Sequence, residues 1–67
     1  MELRLNGSKV AVPDELKTVV DLIGHFELQA SMIIIELNDK ILAKEQYVEA
    51  EIRNGDTIEL VQFVGGG

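Results

Sequence analysis

From its start the chain alternates Met1, Leu3 and Leu5 with Glu2, Arg4 and Asn6, the period-two pattern of a strand with one buried face. Asn6-Gly7 is a pair favoured in type I′ hairpin turns, and Lys9-Val10-Ala11-Val12 returns with Val10 and Val12 in phase. A two-residue loop sets Leu3 opposite Val10 and Met1 opposite Val12, so the apolar faces coincide. The same register opposes Arg4 and Lys9, a mildly unfavourable like-charge pair that leaves room for a slightly longer loop. Pro13 ends the second strand. Asp14 then caps a helix with Glu15 in its first turn, where negative charge suits the macrodipole. Leu16, Val19, Val20, Ile23 and Phe26 fall at helical spacing on one face, and the helix ends at His25 or Phe26. Leu28 closes one end of the core.

Met32-Ile33-Ile34-Ile35-Glu36-Leu37 is a β-branched run that reads as a central strand, and Asn38-Asp39-Lys40 is the turn after it. Ile41-Leu42 is a short strand. From Ala43 to Ile52 the pattern is irregular, with Tyr47, Val48 and Ile52 as packing contacts and one helical turn around Glu45 to Tyr47. Asn54-Gly55-Asp56 is a second turn signal, and Thr57 to Val64 is the last strand. In so small a chain the helix must cross one face of a single mixed sheet, because neither can bury its apolar side elsewhere. The first and last strands then lie parallel and adjacent at the centre. This is an α+β, ubiquitin-like β-grasp, with four to five strands and one main helix packed across one face. It forms one domain over residues 1–64, followed by a flexible glycine tail over 65–67.

Composition narrows the function classes. The 67 residues hold one small core, and 46% apolar content is enough to pack it. With no cysteine, disulfides, thiolate catalysis and Cys-based zinc sites are all excluded. The formal charge of −6 repels phosphate backbones and anionic lipid, which argues against nucleic acid or a membrane as partner and favours a basic protein. No apolar run reaches membrane-spanning length and no signal peptide is evident, so a cytoplasmic chain, monomeric when free, is expected.

The body of the chain offers little chemistry. His25 is the single histidine, and its place near a helix C-terminus is sufficient reason for it. Glu49-Ala50-Glu51 reads as a solvated acidic face. There is no Ser/His/Asp constellation, metal-ligand spacing or phosphate loop, so neither a catalyst nor a bound metal or cofactor is expected. The end of the chain is different. A β-branched and aromatic strand runs into Gly65-Gly66-Gly67, which lacks side chains to pack. Extended at about 3.3–3.6 Å per residue, these glycines carry a carboxylate roughly 10 Å through a channel too narrow for a side chain. That carboxylate, at Gly67, is ionised at neutral pH and can attack the α-phosphate of ATP. If Ile58 and Leu60 face the helix, Val61 and Phe63 face away. With Val64 they then either form a partner-docking patch or close the small core from the other side.

The Asn6-Gly7 hairpin, the Ile33-Ile34-Ile35-Glu36-Leu37-Asn38 strand, the Asn54-Gly55-Asp56 turn before Ile58-Glu59-Leu60-Val61, and the Phe63-Val64-Gly65-Gly66-Gly67 end together resemble the ThiS sulfur-carrier family. The resemblance spans the whole chain and departs at Tyr47, where tryptophan is common. It implies that an E1-like adenylyltransferase activates Gly67 with ATP and Mg²⁺, and that a persulfide from a desulfurase converts the adenylate to a thiocarboxylate. The thiocarboxylate then gives its sulfur to thiazole synthase for thiamine. The chain is then a protein co-substrate, not an enzyme. The molybdopterin synthase small subunit is similar, but has prolines shortly before its Gly-Gly where Gln62-Phe63-Val64 stands here. Another sulfur-carrying pathway and a ubiquitin-like protein modifier are the alternatives.

Overall fold

The computed structural model describes residues 1–62. Its first two strands, β1 (Glu2–Leu5) and β2 (Ser8–Ala11), form the hairpin that Asn6-Gly7 dictates, with Leu3 opposite Val10 and Arg4 opposite Lys9. Asn6 and Gly7 have φ of 48° and 86°, the two positive values that a type I′ turn needs. The loop keeps two residues despite the opposed cations. Val12 and Met1 continue the pairing beyond the strands through two backbone bonds, 2.8 and 3.0 Å long.

The helix α1 (Val19–His25) begins later than its apolar spacing suggests, and Thr18, not Asp14, is its N-cap. The reason lies in the segment just before it. Lys17 accepts the Ile52 N–H at 2.9 Å, and Val19 donates to the Ala50 carbonyl at 2.9 Å. These bonds hold Thr18 in a bridge to Glu51 with extended backbone, so helical geometry cannot start sooner. A capping box closes the end: Thr18 Oγ1 accepts the Asp21 N–H, and the Asp21 carboxylate accepts the N–H groups of Thr18 and Lys17. Asp14 instead pairs with the Met1 ammonium. The later start also corrects the buried face. Val19, Leu22 and Ile23 point into the core, whereas Val20 is 41% exposed. Phe26, just past the helix end, packs its ring edge-on to His25 and is largely on the surface.

After a 3-10 turn at Ala30–Met32, β3 (Ile33–Leu37) and β4 (Lys40–Ile41) form a second hairpin, and Asn38 and Asp39 again have positive φ. A 3-10 turn at Lys44–Gln46 then directs Tyr47 inward, where its hydroxyl donates to the Ile33 carbonyl. The same turn points the next residue out. Val48 is 67% exposed and is not the packing contact its hydrophobicity suggested, while Ile52 is buried. The final described strand, β5 (Thr57–Gln62), lies between β1, to which it is parallel, and β3, to which it is antiparallel. The sheet order is β2-β1-β5-β3-β4, a β-grasp with α1 over one face, so the strand read as central over Met32–Leu37 starts at Ile33, after Met32 has closed the 3-10 turn, and flanks the centre that β5 occupies. Leu3, Val19, Leu22, Ile33, Ile35 and Ile58 form the driest part of the core. Leu28 packs against its rim. Among the described residues no helix is long and apolar enough to cross a membrane.

Thr18→Ala should lower the unfolding free energy by about 1 kcal/mol in urea titration. Asp14→Ala should leave the helical circular dichroism intact. Backbone N–H groups of Lys17 and Thr18 hold the Asp21 carboxyl below the usual carboxylate range. A depressed folded-state pKa means that this contribution is complete above the unfolded-state pKa and is lost as pH falls through the lowered folded-state value. Thermal melts from roughly pH 6 down to pH 2 should therefore fall in the acid limb, and Asp21→Asn should make that fall shallower.

Candidate functional site

Everything that could project the glycine end passes through β5, so the site begins with what holds that strand. At its start, the Asn38 side chain imitates a neighbouring strand: its Oδ1 accepts the Thr57 N–H at 2.9 Å and its Nδ2 donates to Asp56 at 3.0 Å, while its backbone N–H reaches the Thr57 carbonyl. Asp56 in turn accepts the Arg53 N–H, closing the Asn54-Gly55 turn, and Asn54 Oδ1 accepts the Glu2 N–H at 2.7 Å. Further along, Asn6 grips the strand from the β1 side. Its backbone N–H donates to the Ile58 carbonyl, its Oδ1 accepts the Leu60 N–H at 2.7 Å, and its Nδ2 donates to the Leu60 carbonyl at 3.3 Å. A side-chain amide thus continues the β1–β5 ladder after β1 has turned away. These asparagines were visible as turn residues, but their grip on β5 was not, since Asn6 and Leu60 are far apart in sequence.

The strand alternates as its sequence suggests. Ile58 is fully buried and Leu60 half-buried toward α1, while Glu59 and Val61 emerge on the opposite face. Val61 is 55% exposed and stands directly opposite Ile34, itself 36% exposed. Ile41, across from Glu36, is more exposed still. Val61 therefore does not close the core from the far side. It belongs to an open apolar patch with Ile34 and Ile41. The remaining expected site residues, Phe63, Val64, Gly65, Gly66 and Gly67, lie outside the described residues, as does the boundary at 64/65 and the end of the last strand.

Elsewhere the polar groups are structural or solvated. His25 is exposed beside Phe26, Glu49 and Glu51 are on the surface, and Glu51 pairs with Arg53. Among the described residues no group of three or more His, Asp or Glu is arranged to hold a metal ion, and no buried side-chain polar atom is left without a partner. The arrangement displays an open sheet face and a firmly held exit strand.

Comparison with known proteins places this geometry. The ThiS family model matches residues 2–67. The chain is 42% identical over 65 residues to the sulfur carrier protein ThiS of Bacillus subtilis (strain 168), covering 97% of this chain and 98% of that one. It is also 31% identical over all its 67 residues to a stretch making up 20% of a thiazole synthase from Paramagnetospirillum magneticum. The crystal structure of a thiamine biosynthesis protein (ThiS) from Geobacter metallireducens superposes with a TM-score of 0.84 at 30% identity, covering all of both chains.

The asparagine grip makes a testable separation. Asn6→Gly keeps the positive-φ turn but removes both side-chain bonds, and should cost about 1 kcal/mol of stability. Asn6→Ala should cost about 1–2 kcal/mol more, because a Cβ is strained at that φ. In both variants hydrogen exchange at the Leu60 amide should accelerate more than at Ile35, on the neighbouring strand.

Proposed function

This chain belongs to the ThiS family, and from that premise we propose that it carries sulfur for thiamine biosynthesis on the α-carboxylate of Gly67. The observation that carries the reading is the end-to-end family match, which includes Gly65, Gly66 and Gly67. The chain acts as a co-substrate whose fold presents its end to other catalysts, and not as an enzyme. A carboxylate oxygen of Gly67 attacks the α-phosphorus of magnesium ATP in the site of an E1-like adenylyltransferase. The new C–O–P linkage forms as the bond to the β-phosphate oxygen breaks and pyrophosphate leaves. The outer sulfur of a persulfide, made by a desulfurase, then displaces AMP, and a thiol cleaves the resulting acyl disulfide to free the thiocarboxylate.

Thiazole synthase is the receiving partner. Its support is the thiazole synthase of Paramagnetospirillum magneticum, in which a segment similar to this whole chain shares one polypeptide with the rest of that protein. Thiamine is favoured over molybdopterin or protein modification by the two ThiS relatives together with this one. Val61, with Phe63 and Val64, docks on the adenylyltransferase, since the exposed Val61 lies on the strand that leads to the glycines. Gly65 to Gly67 thread a site in which the attacking oxygen must sit roughly 3–3.5 Å from phosphorus, which leaves no lateral room.

Incubation with the cognate adenylyltransferase, magnesium ATP and a persulfide donor should exchange one oxygen for sulfur in the intact mass. Adding one residue after Gly67 should abolish pyrophosphate exchange without changing the melt, and Gly66→Ala should slow it more than Gly65→Ala. Untrimmed activation of the extended chain would show that Gly67 is not the reacting residue. Phe63→Ala should weaken binding to the adenylyltransferase while the domain stays folded. Unfolding of that variant, with wild-type affinity in the folded remainder, would place Phe63 in the core.

A further inference from the structure

Asn6-Gly7 and Asn54-Gly55 carry a chemistry that turn formation does not use. An asparagine followed by glycine is labile, because no Cβ on the next residue keeps its backbone nitrogen away from the asparagine amide carbon. The third asparagine, Asn38, is followed by Asp39, whose side chain obstructs that approach. At Gly7 and Gly55 the space where a Cβ would stand is open, and both turns are exposed to water. What restrains them is one pair of strands. Asn6, at the end of β1, is tied to β5 by its two amide bonds to Leu60, 2.7 and 3.3 Å long. Asn54, just before β5, is tied to β1: its Oδ1 accepts the Glu2 N–H at 2.7 Å, and the Gly55 N–H donates to the Glu2 carbonyl at 2.7 Å. The first turn has its electrophilic carbon held, and the second both its carbon and its nucleophilic nitrogen. Between them lies the short ladder of Arg4 with Thr57 and Leu5 with Ile58, so separation of β1 from β5 releases both.

We propose that Asn6 and Asn54 are spontaneous modification sites that deamidate through a cyclic imide when β1 parts from β5, so that closure of this ladder sets the chemical lifetime of the carrier. At position 6 the Gly7 nitrogen bonds to Asn6 Cγ and the Cγ–Nδ2 bond breaks. The proton lost from Gly7 passes through water to the departing amide, which leaves as ammonia. Water then opens the five-membered imide at either carbonyl, giving aspartate or, with the chain rerouted through the side chain, isoaspartate. Position 54 reacts in the same way with the Gly55 nitrogen. Nothing is oxidised or reduced. The consequences couple the two turns. At position 6 the product has no N–H for the Leu60 carbonyl and presents an ionised carboxylate to it. Isoaspartate at either position also adds a backbone atom to a turn that fixes strand register. Damage at one turn therefore loosens the ladder that protects the other.

Wild-type protein incubated in mildly alkaline buffer, across a urea series that ends beyond unfolding, provides the test. Peptide mapping by mass spectrometry follows amide-to-acid conversion at positions 6, 38 and 54, and enzymatic methyl transfer counts isoaspartate. Native protein should react at positions 6 and 54 at least roughly thirtyfold more slowly than unfolded protein, since two net hydrogen bonds restrain each turn. Sub-denaturing urea should raise both rates in parallel, with position 38 lagging far behind. Asn6→Gly, which keeps the positive-φ turn, should speed conversion at Asn54 about fivefold, and Asn54→Ala should speed it at Asn6 to a similar degree. Rates indifferent to urea below the unfolding transition would tie each site to its own turn and overturn the shared gate, as would an unchanged rate at Asn54 in Asn6→Gly. Equal rates in native and unfolded protein would remove the protection altogether. The urea series needs no variant, so it decides the matter even where a substitution prevents folding.

Discussion

The fold depends on the pairing of β1 with β5, which joins the two ends of the described chain as parallel neighbours, with Arg4 beside Thr57 and Leu5 beside Ile58. Without it the sheet is two units, the β1–β2 hairpin and the three strands β5-β3-β4, that share no edge. Closing so long a loop costs entropy that grows only slowly with length, and burial of Leu3, Ile58 and Ile35 beneath α1 offsets it. The asparagine side chains matter because this parallel ladder is short. Asn6 extends it beyond the last β1 residue, and Asn38 secures the other side where β5 begins.

A central strand with one covered face divides its residues by parity. Ile58 and Leu60 face the core, whereas Glu59 and Val61 contribute little to it and stand exposed. A domain of this size has few surfaces to spare, and this alternation lets six residues serve packing and display together. The edge strands are short, and β4 has only two residues, which limits strand addition by another chain.

Much of this was legible in the sequence because local rules and tertiary demands agree. Asn6-Gly7 defines its turn and register alone, and the β-branched Ile33–Ile35 run has few alternatives to a strand. The helix start is not legible in this way, because Asp14 and Thr18 are both capping types and Leu16 extends the apparent apolar stripe. The deciding bonds, from Val19 to Ala50 and from Ile52 to Lys17, join distant segments and leave no periodic trace. Hydrophobicity alone points to Val48 as a core residue, but one 3-10 turn has room to bury only Tyr47. On the site side, parity puts Val61 on the face away from the helix but leaves open whether that face is covered, and the structure leaves Val61 exposed. The opposed Glu36 and Glu59 required the register of two strands, which no single-strand pattern contains.

Because the middle strand of the sheet is also the last of the described strands along the chain, the sheet cannot close before Thr57–Gln62 is made. A product ending before Thr57 leaves β1 and β3 with unpaired edges facing each other across a gap, and Leu3 and Ile35 with no partner between them. Such fragments stay open and are substrates for proteolysis. Closure of the body therefore requires that β5 has already been made.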